Sequence, residues 1–225
     1  PAKVSDATRE RLDRAGRERA LIYKTLVLTG LRKGELASIT VAQVDFTGPV
    51  PYLHLHARAE KNRRGSEIPL RKDLATELRA WMEETLALAQ AEARERDEPV
   101  PARLPPTTKM LKVPSGLIRI FNRDLVFAGI ATMMKDKKRG GKEIVSKTDE
   151  RGRTVDIHAL RHTFGTHLCR AGVPLRTAQA AMRHSDPSLT ANVYTDPKLL
   201  DVVGAVERLP VLDGSRSRMP AACHG

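Results

Sequence analysis

Four side chains in the last third of the chain carry the groups that are needed to cleave a phosphodiester. His158 and His184 supply imidazoles, Arg161 supplies a fixed cation, and Tyr194 supplies a phenol that can act as a nucleophile. Arg32 adds a second guanidinium from far upstream. Together, these residue types favour cleavage of a DNA strand by a tyrosine.

The two arginines suit the charge that develops in such a reaction. A phosphodiester attacked by an oxygen passes through a crowded phosphorus centre whose equatorial oxygens gain negative charge. Guanidinium groups stabilise these oxygens through paired hydrogen bonds. We therefore expect Arg32 and Arg161 to bind the reacting phosphate.

Proton transfer is needed on both sides of the phosphorus. The pKa of an unperturbed tyrosine is about 10, so Tyr194 needs a proton acceptor, and His158 is the candidate. The departing 5′ oxygen needs a proton in turn, and a positioned general acid typically accelerates such a step about 10²–10⁴-fold. The sequence thus predicts a base and an acid around one phosphate.

The segments around these residues resemble the tyrosine recombinase (phage integrase) family. They read Thr-Gly-Leu-Arg-Lys-Gly-Glu-Leu around Arg32, His-Ala-Leu-Arg-His-Thr-Phe-Gly-Thr-His-Leu from His158, Met-Arg-His-Ser-Asp-Pro around His184, and Leu-Thr-Ala-Asn-Val-Tyr-Thr-Asp around Tyr194. The resemblance extends over about residues 25–196. It implies an α+β, mainly helical catalytic-domain fold with a small antiparallel three-stranded sheet.

The resemblance also implies individual roles. His184 would donate a hydrogen bond to the scissile phosphate, and Glu35 would support the site without performing a step. Lys61, in the turn between two strands, would be the general acid, although the adjacent Arg63 and Arg64 leave that choice open. Attack by the tyrosine would leave a 3′-phosphotyrosyl link, and neither ATP nor a metal cofactor would be required.

A zinc site is the metal alternative, because His158 and His162 have the i, i+4 spacing of a helical ligand pair. The zinc-protease pattern has glutamate directly after the first histidine, whereas this chain has Ala159. Arg161 would also repel a dication. The sequence therefore predicts no metal site.

The charge of the chain indicates a phosphate-rich partner, which we expect to be double-stranded DNA. The 39 Lys and Arg residues exceed the 27 Asp and Glu residues, and the formal net charge is +12. Contacts between basic side chains and phosphates make affinity fall with salt. The candidate phosphate contacts are Arg63, Arg64, Arg139, Lys142 and Arg176.

Cysteine use and hydropathy indicate a cytoplasmic, DNA-associated protein with no membrane partner. Cys169 and Cys223 lie far apart and form no Cys-x-x-Cys motif, which disfavours a disulfide framework. No apolar run approaches the roughly 20 residues that span a bilayer.

Hydrophobic periodicity predicts the elements that position these groups. A strand over residues 50–57 should turn its leucine face inward, and the proline in the return strand, Ser66 to Leu70, suggests a sheet edge. A glycine-containing basic turn is expected at 135–142, and a hairpin at 143–157 about residues 149–152.

Helices are expected at 5–29 with Gly30 as cap, from 72 into 92–98, from 115 to 130, at 158–171, from 174 to about 182, around Tyr194, and at 198–209.

We expect residues 1–209 to form a catalytic domain and residues 210–225 a flexible tail. Relatives usually carry an amino-terminal core-binding domain, for which there is no room before Ser5, so we expect either a catalytic fragment or a minimal variant. By resemblance, the protein would form a homotetramer on DNA during synapsis and could be monomeric when free. The apolar face from Leu199 to Val206 would pack on a neighbouring protomer or within its own chain.

Two other functions fit the same residues. A type IB topoisomerase uses the same chemistry to relax supercoils, although the short length and the His158-Ala-Leu-Arg161 motif favour a recombinase. A non-catalytic DNA-binding protein is the other alternative, because Val173 to His184 resembles part of a helix-turn-helix.

Overall fold

The computed structural model describes residues 4–60, 63–136, 140–150 and 152–184, together with Gly204 and Val206. Its helices are α1 (Asp6–Thr29), α2 (Lys33–Ser38), α3 (Lys72–Glu95), α4 (Leu117–Phe127), α5 (Ala159–Arg170) and α6 (Leu175–Met182). Its strands are β1 (Val44–Asp45), β2 (Tyr52–Leu55), β3 (Ser66–Pro69), β4 (Thr132–Asp136) and β5 (Lys142–Ser146). The predictions for Lys61, Arg139, Tyr194 and residues 210–225 lie outside the described residues, as do nearly all of those for residues 185–209.

Helix α1 begins and ends where the sequence predicts. The Ser5 hydroxyl accepts a hydrogen bond from the backbone N–H of Thr8 at 3.3 Å and so caps the first turn. Gly30 ends the helix in the left-handed conformation, at φ 62°. Glycine adopts this conformation without the steric cost that a Cβ brings.

The strands β1, β2 and β3 form the predicted three-stranded antiparallel sheet, in that order. Leu53 and Leu55 on β2 are buried, whereas His54 between them is half-buried. This alternation confirms that the leucine face points into the core. Pro69 ends β3 at the edge of the sheet, where its missing N–H costs no ladder bond.

One hydrophobic core joins α1, α3 and this sheet. Leu26 from α1, Leu53 from β2, and Leu74 and Leu78 from α3 are almost completely buried in it. Helix α5 packs on α1 from a far later part of the sequence. The core therefore brings the segment around residue 30 next to the segment that begins at residue 158.

The predicted hairpin over residues 143–157 is confirmed only next to its turn, and the pairing of its first strand is different. Strand β5 pairs with β4, which the sequence analysis did not predict. Gly140 and Gly141, both at positive φ, allow the chain to reverse between these two strands. At the predicted turn, the N–H of Gly152 donates to the carbonyl of Asp149, and a bridge joins Thr148 to Thr154. The N–H of Val155 donates to the carbonyl of Lys147, so the pairing here is short.

Among the described residues, none of the helices combines the length and the hydrophobicity that a bilayer span requires.

Replacing Gly30 with alanine will destabilise the protein. Its backbone is left-handed, and an added Cβ would lie 2.4 Å from a ring carbon of Phe164. The left-handed strain alone costs roughly 1–2 kcal/mol, before the displacement of the ring. Chemical denaturation of Gly30→Ala should show this loss of unfolding free energy.

Gly16→Ala is the matched control for that measurement. Gly16 lies inside α1, and an added Cβ meets no atom within 4 Å. Alanine is favoured over glycine in a helix by roughly 0.5–1 kcal/mol, so this variant should be more stable than the wild type. Equal effects of the two substitutions would contradict the conformation described for Gly30.

Candidate active site

The guanidinium of Arg161 connects two helix ends inside the protein. Arg161 is only 2% exposed. Its Nη1 donates to the carbonyl of Gly30, at the end of α1, and its Nη2 donates to the carbonyl of Met182, at the end of α6. Carbonyls at helix C-termini lack a partner within the helix and carry partial negative charge, so a buried cation satisfies both. Arg32 and His184 each lie two residues beyond one of these carbonyls.

Arg32 and Glu35 form the first turn of α2. The backbone N–H of Arg32 donates to one carboxylate oxygen of Glu35 at 2.9 Å, and Nη1 of Arg32 donates to the other at 2.7 Å. Burial alone would raise the pKa of Glu35, but the bonds from Arg32 and the charges of Arg183 and Arg32 hold it below its usual value. Glu35 is therefore an anion that fixes Arg32, whose side chain is 30% exposed.

His184 directly follows the end of α6. Partial burial, followed by the positive charges of Arg161, Arg32 and Arg183, lowers the pKa of His184 to about 4. Its imidazole is therefore neutral at pH 7. A neutral imidazole has one N–H that can donate a hydrogen bond and one nitrogen that can accept one.

His158 precedes the first residue of α5 and is exposed. Desolvation, then the charges of His162, Arg161 and Arg32, lower the pKa of His158, while Asp156 opposes this. The rings of His158 and His162 contact each other edge to face, with 5.1 Å between their centroids. An exposed neutral imidazole is available to accept a proton.

The structure brings together four of the residues that the sequence analysis selected. The charges of both Arg32 and Arg161 act on both His158 and His184, so the two arginines and the two imidazoles border one positively charged region. Desolvation is the largest cause of the lowered pKa values of both imidazoles, and an anion placed there would offset the second cause, the positive charges. This arrangement suits a phosphate.

Two charged residues at this site, whose side chains are almost completely buried, were not selected from the sequence. Arg183 ends α6 in the left-handed conformation at φ 54°, and its Nη2 donates to Glu35 at 3.1 Å. Glu60 is 5% exposed, and its carboxylate lies 3.7 Å from Nε of Arg183. In the sequence, the only sign of their importance was that Arg183 precedes His184 and Glu60 precedes Lys61.

A cavity of about 230 Å³ lies next to His184. Arg183 and Ala180 line it from the end of α6, and Glu60, Arg64 and Ser66 line it from the turn between β2 and β3. Lys61 belongs to this turn in sequence but is outside the described residues. The cavity shows that the turn and the His184 segment are neighbours.

The described candidates for phosphate contact are all exposed, but they are spread over separate elements. Arg63 and Arg64 lie between β2 and β3, Lys142 begins β5, and Arg176 is on α6. Of these, Arg64 lines the cavity beside His184.

A groove between α4 and β5 was not foreseen. Its volume is about 1110 Å³, and Arg119, Asn122 and Arg123 line it from one face of α4. Ser115 precedes this helix, and its carbonyl accepts a hydrogen bond from Lys33, the neighbour of Arg32, at 3.1 Å. The groove therefore begins close to the positively charged region.

Among the residues that the structure describes, no group of three His, Cys, Asp or Glu side chains is placed to hold a metal ion.

Comparison with known proteins gives consistent matches. The model of the phage integrase family matches residues 6–199. Tyrosine recombinase XerC of Lacticaseibacillus casei (strain BL23) is 25% identical over 179 residues, which are 80% of this chain and 50% of that protein. Tyrosine recombinase XerA of Thermococcus onnurineus (strain NA1) is 25% identical over 198 residues, which are 86% of this chain and 56% of that protein. The chain therefore spans about half the length of these relatives.

Solved structures agree on the fold. A crystal structure of XerA recombinase has a TM-score of 0.52 at 18% identity, and the match covers 94% of this chain and 66% of that one. XerH site-specific recombinase bound to difH substrate has a TM-score of 0.53 at 16% identity, with coverage of 93% and 50%. The prediction of a mainly helical α+β catalytic-domain fold with a small three-stranded sheet is confirmed.

The pKa of His184 makes the stability of the protein depend on pH in a defined window. Folding lowers this pKa from 6.5 to about 4, so the unfolded chain binds the proton more tightly between these values. The contribution of His184 to stability is therefore complete above about pH 6.5 and declines as the pH falls toward 4.

Two measurements check this prediction. The ring proton signals of His184 in NMR should titrate well below pH 6, and denaturation at pH 7 and pH 5 should show lower stability at pH 5. In His184→Gln, the drop in stability between pH 7 and pH 5 should be smaller, because only the contribution of His184 is removed. The contributions of the other titrating groups should remain. A titration midpoint of His184 at or above 6.5 would contradict the geometry of the site.

Proposed function

The chain belongs to the phage integrase family, and from that premise we propose that it is a site-specific DNA recombinase with a tyrosine nucleophile. The observation that carries the proposal is the convergence of Arg32, Arg161, His158 and His184 on one region with positive charge. Arg32 and His158 both lie within the family match and contribute to this region, although they are more than 120 positions apart in sequence. Its charge and its donors fit a DNA phosphate.

The proposed reaction proceeds by exchange of phosphate esters. The phenol oxygen of Tyr194 bonds to phosphorus while the bond from phosphorus to the 5′ oxygen breaks. The phenol proton passes to His158, and Lys61 protonates the departing oxygen. Arg32, Arg161 and the N–H of His184 stabilise the charge on the remaining oxygens.

The 3′-phosphotyrosyl link preserves the energy of the broken ester. A 5′ hydroxyl from a partner strand then attacks this link and releases the tyrosine. Neither ATP hydrolysis nor a metal ion enters this scheme.

The tyrosines of the chain differ in their suitability as nucleophiles. Three are present, at positions 23, 52 and 194. The hydroxyl of Tyr23 donates to Asp124 at 2.8 Å, and burial followed by this hydrogen bond raises the pKa of Tyr23 well above its usual value. Tyr52 lies half-buried in β2. Tyr194 is the tyrosine whose surrounding sequence resembles that of the nucleophile in the family, which supports its choice in this proposal.

The partner in this proposal is double-stranded DNA. The structurally similar XerH is described as bound to its difH substrate. In this chain, the groove beside α4 offers arginine and asparagine side chains at spacings of three and four residues, on one helix face. Arginine and asparagine hydrogen-bond to phosphates and to the base edges of guanine and adenine. We assign this groove to DNA contact near the cleaved phosphate.

The assembly and the domain limits are part of the same proposal. A catalytic unit over residues 1–209 would act as a homotetramer on DNA, with each protomer cutting one strand. A type IB topoisomerase would instead relax supercoiled plasmid without joining strands from two duplexes. Strand exchange between two labelled duplexes, set beside plasmid relaxation, separates these activities.

The decisive experiment traps the tyrosine adduct. The protein would first select its binding site from a pool of randomised duplexes, and nicked versions of the selected site would then be incubated with it. The wild type should form a covalent protein–DNA adduct that survives denaturant. Tyr194→Phe should bind the same DNA with similar affinity and form no adduct, because it lacks the attacking oxygen.

Tyr52→Phe is the matched control, and it should keep the adduct. Mass spectrometry of the digested adduct should find the nucleotide on Tyr194. An adduct formed by Tyr194→Phe would overturn this choice of nucleophile. If the wild type binds DNA specifically but forms no adduct on any selected site, the protein is a non-catalytic DNA-binding protein.

The α4 groove gives a prediction for binding. Arg119→Ala and Arg123→Ala should each weaken DNA binding and reduce the slope of log affinity against log salt by roughly 0.9, if each arginine neutralises one phosphate. An arginine that contacts a base should also relax sequence preference by roughly 1–3 kcal/mol at one position.

Arg94→Ala on α3 makes the same change in net charge outside the groove and serves as control. Fluorescence anisotropy over a salt series measures all three variants. Equal salt slopes for the groove variants and Arg94→Ala would show that DNA does not contact this face of α4.

A further inference from the structure

Arg183 is a buried cation that has no step in the proposed reaction. It directly precedes His184, and its side chain is only 8% exposed. Its backbone is left-handed, at φ 54° and ψ 40°, which is rare for residues with a Cβ and persists where the surrounding structure holds it. Burial also opposes the charge of an arginine, so the contacts of Arg183 must offset both effects.

The guanidinium of Arg183 joins three parts of the fold. Its Nη1 donates to the carbonyl of Thr29 at 3.4 Å, and its Nη2 donates to the carbonyl of Gly30 at 3.3 Å. The same Nη2 donates to Glu35 at 3.1 Å, and Nε lies 3.7 Å from the carboxylate of Glu60. The end of α6 is thereby held against the end of α1 and the first turn of α2.

Glu35 is shared between a buried arginine and a more exposed one. One of its carboxylate oxygens accepts from the backbone N–H of Arg32 at 2.9 Å and from Arg183, and the other accepts from Nη1 of Arg32 at 2.7 Å. The side chain of Arg32 is 30% exposed, so an anion can reach it. A carboxylate at this distance fixes the guanidinium of Arg32 but also opposes its charge. Arg183 takes up part of the charge of Glu35 from the buried side.

The charged groups of this region do not balance. Three guanidiniums meet two carboxylates, so these five groups carry one net positive charge; they belong to Arg32, Arg161 and Arg183, and to Glu35 and Glu60. Without Arg183, their charges would balance. Burial raises the pKa of Glu35, the hydrogen bonds from Arg32 lower it, and the charge of Arg183 lowers it more than the charge of Arg32 does. Arg183 is therefore the stronger compensating charge for Glu35.

From these contacts we propose that Arg183 is a positioning residue: it compensates Glu35, so that Glu35 holds Arg32 in place without cancelling the charge that Arg32 presents to a phosphate. This inference rests on the part of the proposed function that places a phosphate beside Arg32, and it adds a role for Arg183. Arg183 itself does not touch the phosphate. Its effect passes through Glu35, which distinguishes it from a cation that attracts the anion directly.

Inorganic sulfate tests this role without DNA and without cleavage. Sulfate is a tetrahedral anion like phosphate, and its charge does not change near neutral pH. The ring proton signals of His184 in NMR report its binding, because His184 lies under the positive charges of Arg161 and Arg32. The wild type should show a saturable shift of these signals as sulfate is added at pH 7. Potassium chloride at equal ionic strength is the blank.

Removal of the charge of Arg183 should weaken sulfate binding roughly 5- to 10-fold, within the range of couplings between residues in one charged network. Arg183→Met removes the charge and keeps a long side chain, whereas Arg183→Lys keeps the charge and loses the forked geometry. Arg183→Lys should therefore lose less than about 3-fold in affinity. If Arg183→Met does not fold, Arg183→Asn replaces it, because asparagine tolerates the left-handed backbone.

A double-mutant cycle with Glu35→Gln decides whether the effect passes through Glu35. Glu35→Gln removes the charge that Arg183 compensates. Removing Arg183 from this variant should therefore weaken sulfate binding less than about 2-fold, against roughly 5- to 10-fold in the wild type. A cation that attracted sulfate directly would cost the same in both backgrounds, because its contact with the anion would not involve Glu35.

Arg94→Met is the matched control. Arg94 lies in the last turn of α3 and is exposed, and its substitution makes the same change in net charge. This variant should bind sulfate like the wild type. All affinities are measured below the unfolding transition of each variant, so that a loss of stability is not counted as a loss of binding.

The outcomes separate this inference from the proposed function. Equal losses on removing Arg183 with and without the charge of Glu35 would overturn the positioning role, as would normal binding by Arg183→Met or equal losses in Arg183→Lys and Arg183→Met. A wild type that does not bind sulfate beside His184 would overturn the inference together with the phosphate site. If the cycle behaves as expected but no tyrosine adduct forms on DNA, the inference holds and the proposed enzymatic function fails.

Discussion

The guanidinium of Arg161 is the interaction on which the site depends. It donates to the ends of two helices, α1 and α6, that are more than 150 residues apart in the chain. Without it, the carbonyl of Met182 would lose this donor, and that of Gly30 would keep the longer hydrogen bond from Arg183. A buried carbonyl left without a donor costs roughly 1–3 kcal/mol. With this guanidinium in place, the segments that continue to Arg32 and to His184 leave the core side by side.

A second constraint is the concentration of positive charge. Arg32, Arg161 and Arg183 meet within a region that contains the carboxylates of Glu35 and Glu60. The carboxylates compensate the charge of the arginines only in part, because the charges of Arg32 and Arg161 still lower the pKa of both His158 and His184. A phosphate bound in the proposed reaction would lower this excess of positive charge.

Much of the fold followed from local rules. Gly30 ends α1, the leucines of β2 point inward, and Pro69 stands at a sheet edge because each residue has a strong local preference. The pairing of β4 with β5 was missed, because the sequence has glycine-containing turn signals on both sides of β5. Gly140 and Gly141, at positive φ, lie between the two strands that pair.

The candidate site was predictable in its members but not in its connections. Motif spacing identified Arg32, Arg161 and His184. It gave no sign that Arg161 is buried, because an arginine in a helix is ordinarily exposed. The contacts of Arg183 with Glu35 and Glu60 were also hidden, since they join residues more than 120 positions apart and exist only in the tertiary structure.

The packing of α5 on α1 also affects how the protein folds. These helices are separated by roughly 130 residues, and loop closure over such distances is slow compared with helix formation. During synthesis, α1 can form early, but its end gains the Arg161 contact only after α5 has left the ribosome. The positively charged region around Arg161 is thus among the last parts to assemble. A nascent chain carries many of its basic residues before this region is complete.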